Sequence, residues 1–334
     1  MKKNVLFLKA IFFIIIISIY SNGMDKKSYI VKKEKIINFG NKLENNNLFL
    51  KWCISIAHDK DSFYFLDKKL KRVFRVERKT GKLINSISRP GQGPGELQIP
   101  SDMRVINERV YILDRGFKGL KIFNIFGKLE KEFKTRGGLG LNPSFDVDKN
   151  GHIYVKEVYS EGMFISIYSS SGNFMKKFIK IKSGIKDGET FLKYSYSKLR
   201  RDSEGNLYLL FPFLRELWKY NSHGKLLWKV KIVDAILNKY SEDNIRWSGK
   251  TVHFSRKIFD FAIDNSRGLL VISHVFGGVV YNKNGHKLFT ITFEDKTKAL
   301  MTVDVFDNSI INGFMGNVEI IKIKEVNNEE NQGT

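Results

Sequence analysis

Short runs of aromatic and aliphatic residues recur along the chain roughly every 45 to 60 residues, with polar turns between them. A glycine follows each run after about 15 to 19 residues, and it supplies the positive φ that a tight hairpin turn needs. Between these glycines the apolar positions are mostly β-branched or aromatic, which favours strands over helices. The runs occupy residues 63–67, 110–114, 153–156, 207–210 and 269–272.

Each interval therefore predicts four antiparallel strands, the content of one propeller blade. A blade cannot bury both faces alone, so the units must stack and close a ring. The segment Lys27–Phe39 is strand-like and belongs to no complete unit, and we assign it to the last blade. We predict an all-β six-bladed β-propeller over residues 24–326, its last blade closed by N- and C-terminal strands, followed by a disordered tail over 327–334. Complete units begin near residues 51, 99, 143, 196 and 257, and a partial unit begins near residue 299.

One unit, over residues 88–129, carries a more specific pattern. Its elements are the segment Arg89-Pro90-Gly91-Gln92-Gly93-Pro94-Gly95-Glu96-Leu97, the pair Pro100-Ser101, the run Val110–Arg115, then Ile122-Phe123 and Gly127-Lys128. This pattern resembles an NHL repeat of the bacterial extracytoplasmic six-bladed propellers. The resemblance implies a closed ring with a central channel. It implies no reaction, because such propellers serve as protein- or RNA-binding modules, as lyases and as sensor domains.

The N-terminus has the pattern of a secretory signal peptide. Lys2 and Lys3 precede an apolar run over residues 5–20, and small residues follow at 21–23. The run is short for a bilayer span of about 20 residues, although an uncleaved anchor is the alternative. We therefore expect residues 1–23 to direct export to the periplasm or the cell surface, with membrane contact only through this segment.

Composition narrows the function classes. Hydrophobic residues make up 42% of the chain and charged residues 28%, which excludes a multi-span membrane protein and a disordered chain. The single cysteine excludes an internal disulfide framework and the usual Cys-based zinc sites. The net charge of +22 comes mainly from Lys spread along the chain, which indicates a compositional bias or an anionic partner. Export argues against nucleic acid as that partner, and we expect a monomer.

The connections from the outer strand of one blade to the inner strand of the next are long, and such loops form the usual ligand surface of a propeller. They cover residues 88–99, 134–143, 182–196, 233–257 and 293–299. Their cationic and aromatic residues predict a basic cup for an acidic peptide or an acidic glycan. The alternative for the tryptophan is that it packs the 233–257 insertion onto its blade. The candidate binding residues are Arg89, Arg136, Lys186, Arg246, Trp247, His253 and Arg256.

Candidates for catalysis are few. Of the six histidines only His253 and His274 could approach one channel mouth, and no metal-binding histidine spacing is present. We expect no cofactor, although Asp102, Asp146 and Asp260 near the predicted inner strands leave a channel calcium as an alternative. The prediction is an exported binding or scaffold module for a protein or an acidic polymer. The alternative is a metal-assisted lyase or hydrolase with its site at the channel mouth.

Overall fold

The chain folds almost entirely into antiparallel strands. The computed structural model describes residues 15–17, 28–37, 50–183, 187–234, 237, 244–248, 251–255, 257–292, 300–307, 309–314 and 317–326. Six sheets of four or five strands account for most of them, and each of the first five is built from consecutive strands. The innermost strands begin within a few residues of the predicted unit starts.

We number the sheets as blades 1 to 6 and give their strands from the innermost to the outermost. Blades 1 and 2 comprise Cys53–His58, Ser62–Asp67, Arg72–Glu77 and Leu83–Ile87, then Pro100–Ile106, Arg109–Asp114, Gly119–Asn124 and Leu129–Lys134. Blades 3 and 4 comprise Phe145–Val147, Ile153–Tyr159, Gly162–Tyr168 and Phe174–Ser183, then Lys198–Arg201, Leu207–Phe211, Glu216–Tyr220 and Leu226–Lys231. Blade 5 comprises Ile258–Asp264, Leu269–His274, Gly277–Asn282 and Lys287–Thr292.

Blade 6 contains strands from both ends of the chain. Ser28–Ile37 pairs antiparallel with Asn317–Val326, and Ile15–Ile17 pairs with Ser28–Ile37 at the outer edge. The innermost strand of each blade contacts those of its two neighbours, and that of blade 6 contacts that of blade 1. The predicted all-β six-bladed propeller is therefore confirmed. The strands of blade 6 are Thr302–Phe306, Ser309–Phe314, Asn317–Val326, Ser28–Ile37 and Ile15–Ile17.

Burial follows the position of a strand within its blade. The second strands are buried along most of their length, and Ser62–Asp67 and Leu207–Phe211 are buried throughout. The fourth strand Leu226–Lys231 alternates between exposed and partly buried side chains. Blades stack face to face around the axis, so an inner strand loses water on both faces and needs a continuous apolar run. This explains why the second strands stand out in the sequence as runs of aromatic and aliphatic residues.

The core is divided among the spaces between blades. Six clusters of buried side chains among the described residues each join two neighbouring blades. Between blades 1 and 2, for example, Tyr64 and Leu66 pack with Met103 and Ile112. Since no cluster lies within one blade, each blade depends on its neighbours for burial.

A recurrent glycine can be required both by the backbone conformation of its turn and by close packing against the neighbouring blade. Gly172, with φ +81°, lies in the turn between the third and fourth strands of blade 3. A Cβ atom there would lie 2.5 Å from Cδ1 of Phe133, in the outermost strand of blade 2. The position therefore requires glycine both for its positive φ and for close packing.

Two segments interrupt the blade pattern. A helix, Gly188–Ser195, precedes blade 4, and its first turn is capped by the Asp187 carboxylate, which accepts a hydrogen bond from the Thr190 amide at 2.7 Å. A two-stranded ribbon, Asn244–Ser248 with Thr251–Ser255, lies between blades 4 and 5. Within the described residues no helix combines the length and apolar character needed to cross a bilayer. The predicted export signal lies largely outside the described residues and the predicted tail lies wholly outside them, so both stay predictions.

Two ion pairs join blade 1 to blade 6. His58 Nδ1 lies 2.7 Å from Asp304 Oδ2, and Arg78 pairs with Asp307. The Arg78 guanidinium also lies 4.7 Å from the ring centroid of Phe306. Burial lowers the pKa of His58, but the facing Asp304 carboxylate outweighs burial, so the pKa of His58 is raised.

This pKa shift predicts a pH-dependent contribution to stability. Because the folded-state pKa lies above that of the unfolded chain, the stabilisation is fully present below about pH 6.5 and is lost as pH rises through the folded pKa. The pair is partly exposed, so we expect Asp304→Asn to cost about 1 kcal/mol at pH 6 and less at pH 9. Urea unfolding of both proteins at the two pH values measures this. A cost that does not shrink at pH 9 would contradict it.

Candidate functional site

The channel has two mouths. We call the end where the innermost strands begin the upper mouth, and the end where they finish the lower mouth. A cavity of about 420 Å³ lies at the upper mouth and is lined by residues of all six blades. Its size falls within the range of ligand pockets. Blade by blade, its lining includes Trp52, Arg115, Asn142, Lys198, Asp260 and Met301.

The wall of the upper mouth is held by carboxylates at the ends of second strands. Asp67 accepts a hydrogen bond from the Trp52 amide at 2.9 Å. Asp114 accepts from the amides of Gln98 and Ile99 at 2.7 and 2.8 Å. Each carboxylate thereby ties the segment entering an innermost strand to the strand beside it. The lining side chains consequently project from a fixed backbone.

Positive charge dominates the lining of the upper mouth. Arg115 and Lys198 line it, and among the described residues no carboxylate lies within 4 Å of either cation. The Lys68 ammonium lies 5.1 Å from the ring centroid of Trp52, whose side chain is 44% exposed on the rim. Among the described lining residues the carboxylate is Asp260, and it is already paired with Arg200 at 3.0 Å. The mouth is therefore suited to an anion.

An ion-pair network lies between this cavity and the lower mouth. Asp102 is fully buried and pairs with Arg104 at 3.0 Å and with Arg200 at 3.4 Å. Arg104 also lies 3.3 Å from Asp146, and Arg200 reaches Asp260. We call these five residues the channel network. It links innermost strands of blades 2, 3, 4 and 5; Asp260 lines the upper cavity, and Arg104, Asp146 and Arg200 line a second cavity at the lower mouth.

Asp102 is the centre of the channel network. The hydroxyls of Ser55 and Ser144 donate to its two oxygens at 3.0 and 2.9 Å. Burial raises the pKa of Asp102, but Arg104, followed by Lys198 and Arg200, outweighs burial, so this pKa lies well below its usual range. The carboxylate is therefore ionised and fully occupied at neutral pH.

A buried ammonium lies behind the wall between blades 3 and 4. Lys156 is 1% exposed, and its Nζ donates to the carbonyls of Asn142, Ser195 and Ser197 at 2.9, 2.6 and 2.9 Å. Burial, with the nearby Lys198 cation, lowers the pKa of Lys156 well below its ordinary value, against an opposing effect of Asp102. The upper mouth thus has a buried amine beneath its lining, held by three backbone carbonyls.

The lower mouth is smaller and nearly balanced in charge. A cavity of about 170 Å³ there is lined by cationic and anionic side chains in similar number. These groups already face one another, as His58 does Asp304. The charged or titratable lining residues are His58, Arg104, Asp146, Arg200, Arg201 and Asp304.

Two of the sequence-predicted binding residues lie away from the upper cavity. Arg89 pairs with Glu96 of its own loop at 2.8 Å. The Arg136 guanidinium lies 4.4 Å from the ring centroid of Phe174 in blade 3. Neither side chain lines the cavity.

The other predicted residues belong to the connections 182–196 and 233–257. Lys186 and Arg256 lie outside the described residues. Arg246, Trp247 and His253 lie in the two-stranded ribbon, where Arg246 is the register partner of His253. The basic cup therefore stays a prediction. His274, the other candidate histidine, is buried in blade 5, and burial lowers its pKa to about 4.

The residues considered for calcium are engaged by arginines. Asp102, Asp146 and Asp260 each lie within ion-pair distance of Arg104 or Arg200. No group of three or more His, Cys, Asp or Glu side chains suited to a metal was found within the described part of the chain. The channel calcium stays a prediction.

Sequence reasoning missed the residues that line the upper mouth, although one signal was present. Lys68 follows Asp67 at the end of a second strand, and Arg115 follows Asp114 at the equivalent place in the next unit. Both cations line the cavity. Aligning the units would have identified this repeated Asp–cation pair. No comparable repeat marks Asn142 or Lys198.

Comparison with known proteins supports the fold. A family model described as 6-bladed beta-propeller, DUF5128, matches residues 42–322. None of the curated proteins matches the sequence. The resemblance to NHL repeats in particular was not confirmed and stays a prediction.

Three solved structures are similar over most of their length. A streptogramin B lyase has a TM-score of 0.57 at 9% identity, covering 89% of this chain and 98% of that one. A gluconolactonase from Xanthomonas campestris has a TM-score of 0.57 at 11% identity, covering 90% and 91%. A DUF4221 family member from Bacteroides vulgatus has a TM-score of 0.58 at 10% identity, covering 89% and 99%. At such identities the likeness shows the fold and no reaction.

Proposed function

Because this chain belongs to the DUF5128 family of six-bladed β-propellers, we propose that it is a binding module that holds a carboxylate-rich polymer, protein or glycan, at its upper mouth. The observation that carries this proposal is the excess of cations in a cavity lined by all six blades. Arg115, Lys198 and Lys68 line it, while the lining carboxylate Asp260 is neutralised by Arg200. The predicted export signal supports placing this activity at the cell envelope.

The shape of the mouth strengthens the electrostatic argument. Low-dielectric walls focus the field of charges that line a cleft, which concentrates ligands of opposite charge. The carboxylates of the channel network below the cavity are paired with arginines, so they do not offset the cations of the mouth. Trp52 and Ile99 are 44% and 39% exposed at the rim and provide apolar contact beside the cations. Exposed aromatic side chains next to cations are common in binding surfaces.

We expect Arg115→Gln to weaken binding of polyglutamate or polygalacturonate by about 2- to 5-fold, because an exposed charge contributes about 0.5–1 kcal/mol. Isothermal titration calorimetry at low salt measures the change, and added salt should weaken wild-type binding. Comparing the two polymers distinguishes a protein ligand from a glycan.

The matched control is Lys149→Gln, which removes an exposed cation from a turn outside the cavity lining and should leave the affinity unchanged. The proposal fails if wild-type protein binds both acidic polymers no better than neutral dextran. It also fails if Lys149→Gln weakens binding as much as Arg115→Gln.

A further inference from the structure

The wall between blades 3 and 4 contains a hydrogen-bond donor without an acceptor. Nδ2 of Asn142 is buried and has no hydrogen-bond partner among the described residues, although Asn142 lines the upper cavity. A buried amide without a partner is destabilising, so such groups commonly mark a place that a ligand or water completes. The donor is therefore an unexplained feature of the cavity wall.

The Lys198 cation belongs to the same wall. Lys198 lines the cavity and is only 6% exposed, and no hydrogen bond or ion pair of its ammonium is found within the described chain. The Lys156 ammonium joins the two sites, because it donates to the carbonyls of both Asn142 and Ser197, the residue before Lys198. A backbone bridge between Asn142 and Tyr196 holds the two segments side by side.

Among the described residues, no carboxylate is positioned to satisfy these donors. Asp102 is the carboxylate whose charge acts on both Lys156 and Lys198. Its oxygens already accept from Ser55 and Ser144, and both guanidiniums of the channel network contact it. The wall therefore combines a buried cation, Lys198, and a buried amide donor, Asn142, on two segments that Lys156 ties together.

We propose that Lys198 and Asn142 form a subsite for one carboxylate of the ligand. That carboxylate accepts hydrogen bonds from the Lys198 ammonium and from the Asn142 side-chain amide. Lys156 does not contact the ligand; it positions the wall by donating to the carbonyls of Asn142 and Ser197. The inference rests on the proposed function, since it places one carboxylate of the same acidic ligand. The rim cations Arg115 and Lys68 then attract the rest of the polymer.

The test compares Lys198→Met, Asn142→Leu and Arg115→Gln, with Lys149→Met as the matched control. The probes are short oligogalacturonate and oligoglutamate, each beside a form whose carboxylates are converted to neutral groups. We expect Lys198→Met to weaken binding of the charged probe by about 10- to 100-fold, because hydrogen bonds to charged groups contribute more than neutral ones. Asn142→Leu should weaken it by about 5- to 10-fold. Lys198→Arg should restore part of the loss.

The outcomes separate this inference from the proposed function. If wild type binds the charged probes and Arg115→Gln weakens binding while Lys198→Met does not, the subsite is wrong and the function stands. If wild type binds no charged probe more tightly than its neutral form, both are wrong. Thermal unfolding provides the folding control, since within the described part of the chain Lys198 makes no ion pair that Met would break. If Lys198→Met weakens binding more than added salt weakens the binding of wild type, the lost contact is buried, because salt screens exposed charges at the rim more strongly than buried ones.

Discussion

Asp102→Asn is expected to destabilise the protein by about 3–5 kcal/mol, because it leaves two buried guanidiniums without their shared carboxylate. Arg104 and Arg200 both contact Asp102, and the side chain is fully buried. Asn keeps the volume of Asp, so the loss reports charge and hydrogen bonding rather than a cavity. In a domain of this size the melting temperature should fall by about 10 °C. Differential scanning calorimetry and urea unfolding measure the change.

The pH dependence follows from the same pKa. The folded-state pKa of Asp102 is depressed, so its stabilisation is present above the unfolded pKa of about 4 and is lost as pH falls through the folded pKa. The cost of Asp102→Asn should accordingly persist from pH 8 to pH 5. The matched control is Asp61→Asn, because Asp61 is exposed and should change stability by less than about 0.5 kcal/mol. Equal effects of the two substitutions would refute a structural role for the channel network.

The sequence was sufficient to predict the architecture because each unit repeats a glycine at the same turn. Gly172, Gly224 and Gly285 lie in the same turn of successive blades and share a positive φ near 80°. Each turn requires glycine because of its own backbone conformation, so the repeated glycines can be recognised in the sequence without knowing how the blades close into a ring. The buried second strands reinforce the signal, since both of their faces lose water.

The site was far less predictable, since its contacts join residues that are distant in sequence. Asp102 meets Arg200 from two blades further along the chain, and His58 meets Asp304 across the junction of blades 1 and 6. Such pairs depend on ring closure and leave no local spacing. Sequence reasoning placed Asp102 and Asp260 near innermost strands, where they do lie. It overlooked the arginines that pair with them. It also favoured long loops, whereas the cavity lining comes largely from the entries to innermost strands.

Lys156→Met is expected to destabilise the protein by about 2–3 kcal/mol, and two opposing effects decide this value. Removing the ammonium leaves the carbonyls of Asn142, Ser195 and Ser197 without their shared donor, at about 1–3 kcal/mol for each unsatisfied group. Removing it also relieves the cost of burying a cation. That relief is limited, because the lowered pKa already allows the amine to lose its proton at modest cost. The lost hydrogen bonds should therefore outweigh it.

The sign of the pH dependence distinguishes this account from simple loss of packing. The folded-state pKa of Lys156 is depressed, so its contribution is present above the unfolded pKa of about 10.4 and is lost as pH falls through the folded pKa. The stability advantage of wild type over Lys156→Met should therefore grow between pH 7 and pH 10 in urea unfolding. Lys149→Met, at an exposed turn, should show neither the loss nor the slope. If Lys156→Met is as stable as wild type at pH 7, burial of the cation outweighs its three hydrogen bonds, and the wall between blades 3 and 4 does not depend on it.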